Sequence, residues 1–146
     1  MPEVLLRDRR EEDRDALFAH QADPASAAMA AVPTRDRAAF DAHWDAPDPA
    51  ARRWVVEAGG RLVGEVLTFV RDGEREVGYR IGREHWGRGY ATAALRALLE
   101  LLPERPLTAK VAEHNMASLR VLERCGFERV GERQDGGVRL VVLRLG

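Results

Sequence analysis

Cysteine and lysine are nearly absent. The 146 residues contain one cysteine, Cys125, and one lysine, Lys110. A lone cysteine excludes an intrachain disulfide, and the CxxC and HExxH zinc patterns are missing as well. No apolar run approaches the ~18 residues of a membrane span, and Met1 to Asp15 is charged almost at once, leaving no signal-peptide core. The expectation is a cytoplasmic protein that does not engage a membrane. Neither sign of charge dominates: 23 Lys plus Arg against 24 Asp plus Glu give a net charge of -1. That excludes duplex nucleic acid held by bulk positive charge. No internal repeat or low-complexity stretch occurs.

What is present suits one folded domain over 1–146. Hydrophobic residues are 45% and charged residues 32% of the chain, outside the disordered range. Val4 to Arg7 reads as a short strand. Asp8 with Glu11 reads as a capping box opening a charged helix to about Ala22. Asp23 to Pro33 is loop-like, with alanines compatible with helix. Thr34 to Trp44 reads as a second helix, broken by the prolines of Asp45 to Pro49. Trp54–Ala58, Leu62–Val70 and Arg75–Ile81 read as a three-strand meander, turning at Gly59-Gly60 and Asp72-Gly73. Ala91, Ala94, Leu95, Leu98, Leu99 and Leu102 then share one face of a strongly periodic helix ended by Pro103. Leu107–Ala112 is a strand, Asn115–Cys125 a helix closed by Gly126, and Phe127–Arg133 with Val138–Leu145 a last hairpin. This order predicts an α/β or α+β fold with a mixed sheet.

The chemistry concentrates in Glu76 to Thr92. A strand runs into Trp86-Gly87-Arg88-Gly89-Tyr90-Ala91, and this loop opens the periodic helix. A helix start has backbone N–H groups without internal partners and carries partial positive charge, so it suits an anion. Gly87 and Gly89 let several amides converge on one phosphate, and Arg88 adds a charged fork. A tight turn that needs glycines explains the bare Gly-x-Gly equally well. It is neither a Walker loop nor a clean dinucleotide fingerprint.

The segment resembles the acyl-CoA-binding motif of the GNAT superfamily of N-acetyltransferases. The family pattern Gln/Arg-x-x-Gly-x-Gly/Ala is matched by Trp86-x-x-Gly89-x-Ala91. The departure at Trp86 is itself similar to the Rim-type, ribosomal-protein N-terminal acetyltransferase branch, where Trp-Gly-x-Gly-Tyr-Ala-Thr is common. A second block, Asn115-Met116-Ala117-Ser118 with Leu122 and Cys125-Gly126-Phe127, resembles the same branch. The resemblance implies a mixed, mostly antiparallel sheet of about six to seven strands with about four helices, and a V-shaped splay between two central parallel strands.

It further implies acetyl-CoA as co-substrate, no metal, and a primary amine, on a small molecule or a protein N-terminus, attacking the thioester directly in a ternary complex. Ile81, Gly82 and Arg83 would pair with the pantetheine arm, and the amides of Gly87, Arg88, Gly89, Tyr90, Ala91 and Thr92 would hold the pyrophosphate. Asn115 is either a pantetheine ligand or a helix cap. Arg120 and Arg124 either reach the nucleotide phosphate or line a solvated face. Leu122 stands where many relatives carry a tyrosine acid; Ser118 is either the substitute the branch suggests, hydrogen-bonding the sulfur, or a hydroxyl bonding back to its own helix. Glu76 and Glu65 are the candidate bases: a desolvated Glu76 would titrate nearer neutrality, whereas a surface Glu76 would simply pair with Arg80. His85 is a weaker candidate and Cys125 reads as a core residue; Trp54 reads as packing, Trp86 as packing or as part of the cofactor-binding loop, and Trp44 as packing or as part of the region that covers the acceptor pocket in the family. Asp41, Asp45 and Asp48 either attract a cationic amine or form a solvated acidic loop. The edge strands of such folds support homodimers. A non-catalytic acyl-CoA-binding or sensor module is the alternative.

Overall fold

A computed structural model describes residues 1–29 and 34–146. Seven strands form one sheet in the order β1-β2-β3-β4-β5-β7-β6. They are β1 (Leu5–Arg7), β2 (Arg52–Ala58), β3 (Arg61–Arg71), β4 (Glu74–Ile81), β5 (Leu107–Ala112), β6 (Glu128–Asp135) and β7 (Val138–Leu145). Five helices accompany them among the described residues: α1 (Arg14–Ala22), α2 (Pro24–Met29), α3 (Arg37–Asp45), α4 (Tyr90–Leu101) and α5 (Met116–Arg124). Every neighbouring pair is antiparallel except β4 with β5.

Side-chain alternation along the strands divides the sheet into two faces. Val66, Val77, Ala109, Val111, Val141 and Leu143 turn toward Ala94, Leu95 and Leu98 of α4 and Leu119 and Leu122 of α5, forming the main core. The meander residues between them, Arg53, Glu65, Gly78 and Arg80, turn the other way. There α1 crosses β3 and β4, with Leu17 buried beneath it.

Two local expectations are corrected, and one left open between loop and helix is resolved. Asp8 and Glu11 form no capping box. Asp13 takes that role, its carboxylate accepting the Arg10 N–H at 2.7 Å. Asp13 is also gripped by both terminal nitrogens of Arg7 at 2.8 and 2.9 Å, which holds its carboxyl below the usual range. The stretch after Asp23 is not simply loop: α2 occupies Pro24–Met29, started by the Asp23 carboxylate accepting the Ser26 N–H. Residues 30–33 of that stretch lie outside the described residues. Asp41 and Asp45 belong to α3, not to an open acidic loop. Arg14 takes both, at 3.3 and 2.6 Å, and Arg37 also holds Asp41. Asp48 turns back on the Ala50 N–H.

Candidate active site

The parallel strands β4 and β5 pair at one position only, Glu76 opposite Thr108. Beyond it β4 continues to Ile81 and β5 to Ala112 without pairing, so the sheet opens as a V between them. The hydrogen-bond parity of β4 decides what the opening offers. The Gly82 N–H bonds to the Val63 carbonyl of β3 at 2.9 Å, and Gly64 stands opposite Ile81. Even-numbered residues at this end therefore direct their peptide groups to β3, and Tyr79 and Ile81 direct theirs into the opening. That is an unpaired strand edge in the interior of a sheet. An extended ligand can complete it.

The expected backbone contacts divide accordingly. Ile81 faces the opening; its carbonyl accepts the Trp86 indole N–H at 2.8 Å, leaving its N–H as the available donor. Gly82 is spent on β3, and its carbonyl accepts the His85 N–H at 2.8 Å. The Arg83 carbonyl accepts the Trp86 N–H, and its guanidinium reaches Asp23 at 3.3 Å. The Trp86 indole thus ties the loop back onto the end of β4.

Beyond it, Gly87 and Gly89 have φ of 75° and 82°, the left-handed region where glycine is favoured. Gly89 is the N-cap of α4 and supplies no side-chain cap. The first bond inside the helix runs from the Ala93 N–H to the Gly89 carbonyl, so the amides of Tyr90, Ala91 and Thr92 have no intrahelical acceptor. Arg88 is exposed beside them, and Arg120 and Arg124 are exposed on α5. This cradle of uncapped amides at the end of an open strand edge fits a diphosphate carried on an extended arm.

On β5's side, Asn115 acts as a helix cap: its side-chain oxygen accepts the Ser118 N–H at 3.2 Å. Its amide also donates to the Met29 carbonyl at 3.4 Å, and His114 donates to the Ala28 carbonyl at 2.9 Å, tying α2 to the start of α5. Ser118 shares a short hydrogen bond with the Tyr79 hydroxyl. Leu122, one turn further on, is fully buried in the core. The hydroxyl that meets Ser118 therefore comes from β4 and not from α5. Burial pushes the Tyr79 phenol up to about 12. Tyr79 escaped the sequence reading, although a tyrosine on the core-facing side of a strand must find a polar partner.

Glu76 does not reach the open part of the V. It is buried at the closed end, where Lys110 holds its carboxylate at 3.1 Å and Arg71 lies at 3.6 Å. Ile81 is five residues further along, roughly 16 Å at strand rise. The reason is register: Glu76 is the residue at which the two parallel strands still pair, and the only lysine in the chain faces it from β5.

Glu65 lies opposite Arg80, with Arg53 4.0 Å away. His85 is buried edge-on against Tyr90. His20 of α1, which the sequence reading did not single out, packs on the backbone of Gly82: a Cβ there would stand 2.6 Å from its Nε2. Its Nδ1 is buried without a partner among the described residues, and burial lowers the imidazole from 6.5. Cys125 is half-buried against the core, and burial raises its thiol, which suits packing and not nucleophilic attack. Among the described residues, no group of His, Cys, Asp and Glu could hold a metal ion, and no helix is long and apolar enough to cross a membrane.

Comparison with known proteins agrees with this geometry. An uncharacterized N-acetyltransferase of Bacillus licheniformis is 34% identical over 68 residues, 44% of this chain and 38% of its own length. The uncharacterized protein YkkB of Bacillus subtilis is 44% identical over 56 residues, 36% of this chain and 33% of its own. The chain thus aligns with well under half the length of these relatives. Among solved structures, a GNAT-family acetyltransferase from Bacillus anthracis superposes with a TM-score of 0.83 at 19% identity, covering 99% of this chain and 96% of that one. The spermidine N-acetyltransferase of Vibrio cholerae, solved with CoA and spermine, gives 0.83 at 20% identity over 97% and 94% of the two chains. The family model for the acetyltransferase (GNAT) domain matches residues 3–128, and with it the splayed sheet and the amide cradle find their place: this chain belongs to the GNAT acetyltransferase family.

Proposed function

We propose that this protein is an N-acetyltransferase of the Rim-type branch, moving an acetyl group from acetyl-CoA to a primary amine by direct attack in a ternary complex. The observation that carries the reading is the unpaired edge of β4 running into the uncapped start of α4.

In this reading the amides of Gly87 to Thr92 receive the pyrophosphate, with Arg88 in support. The Ile81 N–H, turned into the V, receives the pantetheine or the thioester oxygen; a donor fixed there stabilises negative charge as it develops. Ser118 and Tyr79 face the departing sulfur. A thiol near its ordinary value of ~8.5 leaves readily, so a hydroxyl pair contributes by orientation more than by proton donation. We expect Ser118→Ala to lower kcat by about tenfold, below the usual range for a general acid. Tyr79→Phe should fall within that loss, and the double variant should be no worse than Ser118→Ala, because the two hydroxyls act as one unit. Additive losses in steady-state kinetics would separate them.

His20 is positioned to accept the amine's proton. Its imidazole is kept neutral by burial and lies against Gly82 at the mouth of the V, facing Glu84, His85, Glu65 and Arg80. A base with a lowered pKa stays active to lower pH, so the acid limb of kcat/KM should lie below pH 6.5. His20→Gln should lose that limb together with most of the turnover. A limb that persists unchanged in the variant would remove His20 from the role.

The test of the activity is a screen of amines with acetyl-CoA, read by free thiol release. Binding of acetyl-CoA without turnover on any amine would favour a sensor module.

A further inference from the structure

The sheet face opposite α4 is short of negative charge. Arg80 at the end of β4, Arg53 on β2 and Arg9 after β1 lie around Glu65 of β3. Arg80 is half-buried and has no ion pair or hydrogen bond among the described residues. Arg53 reaches Glu65 only at 4.0 Å, and its Nε is buried without a partner. Arg9 lies 3.7 Å above the Trp44 ring and has no carboxylate partner among the described residues. Three guanidiniums thus share one carboxylate, while the nearby carboxylates are committed elsewhere: Asp13 to Arg7, and Asp41 and Asp45 to Arg14. The undescribed residues, Ala30-Ala31-Val32-Pro33, contain no acidic side chain. Part-buried guanidiniums are ordinarily paired, since removing them from water without an anion is unfavourable. The coenzyme's phosphates do not answer for them. Those are expected at the start of α4, where Arg88 is exposed, whereas Arg80 points to the face that carries His20.

We infer that the acceptor amine carries an oxyanion, a carboxylate or a phosphonate, which Arg80, Arg53 and Arg9 hold on the face of the sheet opposite α4. The inference rests on the N-acetyltransferase reading and names its substrate class. Planar guanidinium forks match carboxylate and phosphonate oxygens in two-point contacts. His20, against the next residue but one after Arg80, then stands between the anion site and the reacting thioester. A polyamine or aminoglycoside would instead bring several positive charges to a net-positive basin and be repelled.

The experiment compares acceptors matched in length: 4-aminobutyrate, 3-aminopropylphosphonate, butylamine and 1,4-diaminobutane, together with the common α-amino acids and their amides. Each is assayed with acetyl-CoA on the wild type, Arg80→Gln and Arg53→Gln. We expect kcat/KM for the best anionic amine to exceed that of its uncharged counterpart at least about tenfold, the discrimination expected of one charged contact. Both variants should erase that ratio through the acceptor KM while leaving the KM for acetyl-CoA unchanged. The carboxylate and phosphonate arms identify which oxyanion is preferred. A preference for 1,4-diaminobutane or butylamine, or an anionic preference that survives in both variants, would overturn the inference. Anion binding is measured in parallel by titrating glutarate and inorganic phosphate against the CoA-loaded protein, followed by NMR. Binding of either that weakens about tenfold in Arg80→Gln, with no amine acetylated, would sink the activity and leave the anion site standing. Absence of binding by both, with no anionic preference in transfer, would overturn the site itself.

Discussion

Gly89→Val is expected to abolish acetyl-CoA binding while leaving the sheet folded. Gly89 has φ of 82° and caps α4, and a Cβ there would stand 3.3 Å from Cδ of Pro2. A β-branched residue is strained in that conformation by upwards of about 1–2 kcal/mol, so the loop must rearrange. Rearrangement turns the amides away from a common focus. Losing two amide contacts to a phosphate, each worth about 1.5–3 kcal/mol, weakens binding by at least about a hundredfold. The fold survives because the loop is exposed and the buried face of α4 begins at Thr92, beyond the substituted position. Calorimetric titration with acetyl-CoA, beside a thermal melt, reads both halves. Unchanged affinity would mean that this loop does not hold the pyrophosphate.

Glu76→Gln should damage stability far more than mechanism. The Glu76 side chain is 3% exposed and its Lys110 partner 12%. Removing the carboxylate leaves a buried ammonium without its ion pair, a change that costs about 3–5 kcal/mol. For a chain of this length that corresponds to a fall in Tm of about 10 °C. Arg71, at 3.6 Å, is exposed enough to return to water. The pH–rate profile of the folded enzyme should keep its shape, because the carboxylate sits at the closed end of the V. Normal stability with the acid limb removed would instead make Glu76 the base.

The elements whose signals are local were legible in the sequence. The leucine periodicity of α4, the glycine turns of the meander and the proline after Leu102 depend on neighbours a few residues away. The amide cradle was legible for the same reason, since a glycine loop entering a helix is a local feature. The parts that escaped depend on pairing across long separations. Nothing near Glu76 announces Lys110, 34 residues later, as its partner. Nothing near Asp45 announces Arg14, 31 residues earlier. Tyr79 and Ser118 are 39 residues apart, and only the packing of α5 on β4 brings their hydroxyls together. The arginine basin is spread over β2, β4 and the segment after β1, and the sequence shows it only as a general surplus of arginine over lysine. Asn115 was ambiguous because one asparagine suits both a cap and a ligand, and the structure shows the cap.

The most direct test of the central claim is a titration of isotope-labelled protein with coenzyme A, followed by amide chemical shifts. The largest shifts are expected on Gly87 to Thr92 and on Ile81, with β6 and β7 silent. Saturation that leaves those amides unmoved, or that moves another surface instead, would contradict it.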